Sequence, residues 1–552
     1  MMMLLVYLIA VPFILFTVLS YAAGPDRYLK WLAFQNIVGA ALALGLAAIS
    51  TGVFYNYDGY YGDFWVTMDA MNKVKHGSLS SIDFFSPIGP AFFWVLGATI
   101  SLTDEISASS VMRAGALVAA FAVIMTAGML WRRISFLGLT IVLFTVVTVA
   151  VSGRGNGEIL SHAHIHFLAP YNRWAWALFI PVALRLSLPD RGRDLLGDVL
   201  IGVAIALLLL TKVTYGAAGL GLLFARVVLV QGAWREMIGA VLAIFATLVV
   251  AEIATGQLFP YLDDLSTVAS LPQSGFRVRK LMFQLGELFV YMSIGIVVYV
   301  VSSDPLRERS QEFEPKFRYF VPIFFIVIVA LAGCAVLLQN HNKFEASIYP
   351  LLPLIALEWT GVLRLKNTAA MFEGFRSRIL ITFTVLFMIL LPIFDLGMYV
   401  GQRVNYKIQG PDPAFAGTPY ADLRFANYLM NWNTGLQSVA TARDGVLEGY
   451  QILLEAGAAQ EDAGRVVALS FSNPFPLMLG QPSPLGTPIW YDHNRSFTDE
   501  VFVDPDVLFE GADYVVRGKF DAELWRVYGS IVEAQFEQKF KGKFWTLYVR
   551  AQ

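Results

Sequence analysis

From residue 3 to residue 399 the chain is a succession of apolar runs, each close to the length at which a helix covers a bilayer. That feature leaves few folds open, because a helix needs about 20 mostly apolar residues to cross hydrocarbon, where backbone polar groups have only one another as partners. About twelve stretches meet or approach this length: residues 3–22, 31–53, 108–131, 135–152, 172–189, 194–211, 213–231, 237–254, 284–302, 319–338, 348–364 and 379–399. Around Lys212 one long run has to be folded into two short spans. Composition agrees: 57% of residues are hydrophobic and 15% charged, against roughly 45–50% and about 25% for a soluble domain. A plain cytosolic enzyme is excluded. The 40 Lys and Arg against 42 Asp and Glu, net −2, leave no basic surplus, so no nucleic-acid partner is implied.

Lys and Arg collect in alternate loops: Arg27 and Lys30, Arg132 and Arg133, Arg191 and Arg193, Arg235, the cluster from Arg307 to Arg318, and that from Arg364 to Arg378. Cationic loops stay on the cytoplasmic side. The start MMMLLVYLIA carries no flanking positive charge, which argues against a cleaved signal peptide. The N-terminus is therefore expected outside, and an even number of spans returns the chain to the outer face after residue 399. Arg185 and Arg226 fall inside expected spans, close enough to the cytoplasmic ends to snorkel.

Residues 400–552 read as a separate outer domain. RVVALSFSN (465–473), ADYVVRG (512–518) and FWTLYVR (544–550) have strand character, and 420–431 and 446–456 have helical patterns, which suggests a small α/β fold. The expected architecture is a membrane all-α domain over 1–399 followed by this α/β domain. The lone Cys334 can form no intramolecular disulfide, so the outer domain folds without such staples, which suits a bacterial inner membrane with a periplasmic C-terminal domain.

The first outer loop, 54–107, is unusually long. It sets Asp58, Asp63, Asp69 and Asp83 among aromatics that are densest from Phe54 to Trp65. Interfacial belts account for the aromatics but not for the acids; together they suit a site that handles both a polar group and a lipid chain.

From Asp63 it is fourteen positions to Gly77, a glycine that ends a short amphipathic helix, and a proline-containing segment, SPIGPAFFWVLG (86–97), follows. This order resembles the first outer loop of GT-C glycosyltransferases, polytopic enzymes that use polyprenyl-phosphate-linked sugars. Arg113, the Thr211-Lys212 dipeptide and HNKFEASIYPLLPLIALEW (341–359) echo the family further along, and the outer α/β tail is similar to that of several members. The resemblance implies transfer of a sugar from a polyprenyl-phosphate donor to a glycan, lipid or protein hydroxyl, with a carboxylate as base. Some features depart from the pattern. Gly62, not a second acid, precedes Asp63. Ser86 stands where members of the aminoarabinose-transferase type carry a lysine. One more span precedes the loop than the family has.

Such a transfer needs a base for the acceptor proton and cations for the departing phosphate. Asp63 is the expected base, with Asp58 as alternate or supporting partner. Lys212, Lys343, Arg277, Arg279 and Lys280 are the phosphate candidates. Bland roles compete: Lys212 also fits snorkelling, and the RVRK cluster (277–280) also fits contact with lipid headgroups. In SHAHIHFLAPYNRW (161–174), His162, His164 and His166 would share one face of a strand. They could hold a divalent ion, as some relatives do, or hydrogen-bond a sugar. Tyr171, Asn172, Arg173 and Tyr349 are expected to line the substrate cavity. The rival from another class is a transporter or flippase of lipid-linked sugars. Against it, acids are nearly absent from span centres, and no pair of interrupted helices relates two halves.

Overall fold

The computed structural model describes residues 53–55, 61–103, 105–151, 170–189, 194–271, 278–309, 317–338, 348–364, 379–390, 392, 406–408, 410–425, 439–460, 463–519 and 521–551. The first two expected spans lie outside these, apart from Val53.

Within the first loop a short strand β1 (Val53–Tyr55) precedes α1 (Tyr61–Lys75) and α2 (Pro90–Thr103). Then come α3 (Ala108–Leu130), α4 (Phe136–Val151), α5 (Pro170–Ser187), α6 (Leu195–Thr211), α7 (Val213–Leu229), α8 (Trp234–Thr255), α9 (Leu258–Ser270), α10 (Val278–Arg309), α11 (Phe317–Leu338) and α12 (Leu352–Trp359). A further helix, α13, covers Ile379–Leu390. Among the described residues three helices are by length and composition able to cross a membrane, Ala108–Leu130, Met237–Thr255 and Phe320–Leu338; α2, α4, α6, α7, α13 and the middle of α10 are shorter and also apolar. The protein is a helical membrane protein. α3 packs on α4 and α5, α6 on α7 and α8, and α10 on α11 and α12. One face of α8 leaves Ile238, Leu242, Phe245, Val250 and Ile253 exposed, surface that suits lipid rather than water.

The helix ends are fixed by local chemistry. Gly77 (φ +81) closes α1: its N–H bonds Val74 O at 3.0 Å and the next N–H, of Ser78, bonds Lys73 O at 2.9 Å, the paired bonds that a left-handed residue allows. At the far end of the bundle Arg185 and Arg226 do not snorkel. Arg185 is fully buried and paired with Asp194 (2.8 Å) and Asp198 (2.9 Å), and it donates to Met129 O. Arg226 donates to Leu186 O and Leu188 O. Both guanidinium groups satisfy the open carbonyls where α3 and α5 end, and acids at the start of α6 neutralise one of them, so solvent is not needed.

The C-terminal domain has a four-stranded sheet in the order β3-β4-β6-β5: β3 (Arg465–Leu469), β4 (Ala512–Gly518), β5 (Phe536–Lys541) and β6 (Trp545–Arg550). β3 and β4 are parallel, and β6 is antiparallel to both β4 and β5. α14 (Val439–Glu455) and α15 (Ala522–Gln535) complete it. Of the segment read as a helix from 420 to 431, the described part is instead a turn and a strand, β2 (Leu423–Phe425), which pairs in parallel with β1.

That pairing begins a clasp between the C-terminal domain and the first loop. Asp422 accepts from the N–H groups of Ala108 (2.9 Å) and Ser109 (2.8 Å) and from the Ser109 hydroxyl, an acid at a helix N-terminus. On α1, Lys73 pairs with Asp69 at 3.4 Å, donates to Thr487 Oγ1 at 2.6 Å and reaches Pro484 O; Ser483 Oγ donates to Asp69 at 2.6 Å. Asn72 donates to Gln481 O and Ser483 Oγ. Gly486 N donates to Asp83 O and Ile489 N to Phe85 O.

Candidate functional site

The α6–α7 break is the focus. Lys212 is the single extended residue between the two helices (φ −157, ψ 111). Its ammonium donates to Asn172 Oδ1 at 2.5 Å and stands 5.2 Å from the centre of the Tyr171 ring. Asn172 and Tyr171 belong to the first turn of α5 and Arg173, also buried, follows them. Three separate expectations from the sequence thus meet at one point: a cation at a span mouth, an amide and an aromatic.

The proline-containing segment covers this break. Gly89 donates to Thr211 O at 3.0 Å, and a Cβ on Gly89 would lie 2.0 Å from Leu210 O, so only glycine permits so close an approach. Ser86 bonds Ile88 through its hydroxyl, as acceptor from the N–H and donor to the carbonyl, and its own N–H donates to Asp264 Oδ2 at 2.9 Å. Asp264 lies on α9, where Tyr261 also meets the backbone of Val213, the first residue of α7. Burial raises the Asp264 carboxyl to about 6, neighbouring Asp263 adds to this, and the Ser86 N–H and Ser81 hydroxyl oppose it. Sequence reasoning missed Asp264, since one of two adjacent acids on an amphipathic helix reads as solvated surface.

Asp63 sits in the first turn of α1 and is half-buried. The preceding Gly62 lies under the Phe471 ring, where a Cβ would come within 2.7 Å of it. Phe471 follows β3, at the carboxyl ends of the two parallel strands, and its carbonyl accepts from Tyr491 N at 3.0 Å. The residue before Tyr491, Trp490, lies parallel to Tyr171, with ring centres 6.4 Å apart and planes at 3°. One small piece of the C-terminal domain therefore touches both the helix start that carries Asp63 and the helix start that carries Asn172. Nearby, the Asp521 carboxyl is raised by burial and held by the Ser470 hydroxyl and the Phe471 N–H.

Two further regions hold the other expected residues that are described. The Tyr349 ring stacks on Tyr291 (6.0 Å) and packs against Gly333, inside the bundle. Arg279 and Lys280 lie in the first turn of α10. Asp58, His162, His164, His166, Arg277 and Lys343 lie outside the described residues. Among the described residues no group of three or more His, Cys, Asp or Glu is arranged to hold a metal ion. Asp69 and Lys73, two charges of the first loop, prove to be a buried clasp, in which burial pushes the Asp69 carboxyl up and the Lys73 ammonium down.

Fold and site define a helical membrane protein with a small α/β domain clasped over one end of its bundle, and with a lysine, an asparagine and stacked aromatics at the seam. No family model matches the chain, and no curated protein matches it. Among solved structures the chain is similar to ArnT from Cupriavidus metallidurans in the apo state, with 12% identity over 93% of this chain and 97% of that one and a TM-score of 0.48. It is similar to the same protein bound to undecaprenyl phosphate, with 11% identity over 93% and 98% and a TM-score of 0.46. The archaeal oligosaccharyltransferase AglB from Archaeoglobus fulgidus, in complex with an inhibitory peptide and a dolichol-phosphate, matches with 12% identity over 96% of this chain and 75% of that one, TM-score 0.37.

Proposed function

We propose that this protein is a membrane glycosyltransferase that moves a sugar from a polyprenyl-phosphate donor to a hydroxyl of a glycan, lipid or protein on the outer face of the membrane. The observation that carries the proposal is the bridge just described. A candidate base, Asp63, stands at the start of α1 beside Phe471, and a candidate phosphate cation, Lys212, bonds Asn172 at the start of α5, where Trp490 of the same domain lies parallel to Tyr171.

In this mechanism Lys212 offers its ammonium to the donor phosphate, and Asn172 and the Tyr171 ring fix where that ammonium stands. The bond between the anomeric carbon and the phosphate oxygen breaks, and the polyprenyl phosphate leaves with the electron pair. The acceptor oxygen bonds the anomeric carbon from the opposite face, inverting it, as Asp63 takes the acceptor proton. A phosphate is a good leaving group once its charge is held, so cations and one base suffice for the protein's part. The His162, His164 and His166 run keeps its proposed role toward a sugar or a divalent ion.

Purified protein with a radiolabelled polyprenyl-phosphate sugar, assayed for transfer and for hydrolysis of the donor, tests the proposal. Asp63→Asn is expected to lose at least about a hundredfold in turnover, the lower range for a general base, while still binding the donor. Full transfer activity in both Asp63→Asn and Asp58→Asn would remove these carboxylates as the base; a wild type that binds the donor but neither transfers nor hydrolyses it would instead favour lipid transport.

A further inference from the structure

Trp490 is placed differently from its neighbours. Ile489 and Tyr491 are buried, at 1% and 7% exposure, and each is pinned by a backbone hydrogen bond, to Phe85 and to Phe471. Trp490 is only half-buried, and so is Tyr171. Nor does docking of the domain depend on their contact. The Asp69, Lys73, Ser483 and Thr487 cluster, the Asn72 bonds, the Asp422 cap and the β1–β2 pairing already hold it.

With planes 3° from parallel and centres 6.4 Å apart, the two rings are not in full face-to-face contact, which would put the centres roughly 3.5–4 Å apart. The pair is two near-parallel, half-buried aromatic rings, with Lys212 5.2 Å from the centre of the Tyr171 ring and Phe92 nearly perpendicular to that ring at 5.8 Å. Flat apolar faces beside one cation and one amide match the two sides of a sugar phosphate, in which the C–H face of a pyranose is apolar and its substituent is charged.

We propose that Tyr171 and Trp490 form the binding platform for the sugar ring of the lipid-linked donor, so that the C-terminal domain reads the sugar while Lys212 and Asn172 hold the phosphate. This rests on the donor class proposed above. It makes Trp490, which lies in neither the membrane helices nor the first loop, a specificity determinant. Exchanging Trp490 would then change which sugar is accepted without changing which lipid is.

The test measures binding of two kinds of probe to the full chain in nanodiscs: undecaprenyl phosphate alone, and undecaprenyl phosphate carrying glucose, mannose or galactose. Wild type is expected to bind at least one sugar-bearing lipid about tenfold more tightly than the bare lipid. Trp490→Ala is expected to bring that ratio close to one while leaving bare-lipid affinity as it was, and Trp490→Phe to keep most of it. Lys212→Gln is expected to weaken both probes. Limited proteolysis of Trp490→Ala should match wild type, since the clasp is intact. A wild-type ratio of one, an unchanged ratio in Trp490→Ala, or equal loss for both probes would overturn the platform alone. Failure of wild type to bind either kind of lipid would instead overturn the donor class and the platform with it.

Discussion

Asp264 offers the sharpest test of the geometry around the break. Its carboxyl is raised from an ordinary 3.8 to about 6, chiefly by burial. At about 1.36 kcal/mol per pH unit this would amount to about 3 kcal/mol for a fully enclosed group; Asp264 is half-exposed, and solvent screening brings the figure to about 1–2 kcal/mol. The sign follows from proton uptake: the folded state binds the proton more tightly than the unfolded one, so stability is highest below the unfolded value and falls as pH rises from about 4 through about 6. Asp264→Asn keeps the size and the acceptor oxygen for Ser86 N–H but cannot ionise. At pH 7.5 the variant is expected to be more stable than wild type by about 1–2 kcal/mol, and at pH 4 the two should converge. Unfolding of both proteins in the same detergent, followed by tryptophan fluorescence at intervals from pH 4 to 8, measures the difference; other titrating groups cancel in the comparison. A difference that does not vary with pH, or a variant less stable at pH 7.5 than at pH 4 relative to wild type, would refute the placement of Asp264 against the 86–89 segment.

Lys73→Met leaves Asp69 buried without its cation and is expected to cost about 3–5 kcal/mol, with less loss at low pH, where Asp69 is protonated. Asp69→Leu with Lys73→Met should recover much of it in a double-mutant cycle. In Gly89→Ala the new methyl would meet Leu210 O, and a loss of about 1–3 kcal/mol in thermal unfolding is expected, together with impaired donor binding as the 86–89 segment lifts from the break. Asp422→Ala removes the cap of α3, for about 1 kcal/mol, and should show first as faster proteolysis between the bundle and the C-terminal domain.

The contrast between sequence and structure is clearest at particular residues. β5 went unread because FEQKFK turns most of its side chains to solvent as an edge strand, so its charged residues look like surface; only pairing with β6 makes it a strand. The start of 420–431 was misread because Leu423 and its neighbours satisfy a helical pattern equally well, and what decides is β1, which lies 370 positions away in the chain. Arg185 and Arg226 were expected to reach water because a lone charge in an apolar run has no local partner. Their partners are carbonyls and carboxylates that adjacent helix ends supply.

Alone, the sequence determined the solvent and the parts. Apolar runs of bilayer length can fold only as helices in lipid, since their backbone groups have no other partner there. The loop from Asp63 to Gly97, the Lys212 break and the Tyr171–Arg173 cluster were legible because charge, glycine and aromatic residues stand out against an apolar background. Tertiary structure alone decided which of these parts meet. Lys212 lies forty residues from Asn172, and Trp490 lies beyond all of the membrane helices. Nothing local encodes either contact, because each depends on how helix ends and a separate domain pack together. The physical reason is that burial and hydrogen bonding are satisfied by whichever group comes near in space, while a sequence displays only what comes near along the chain.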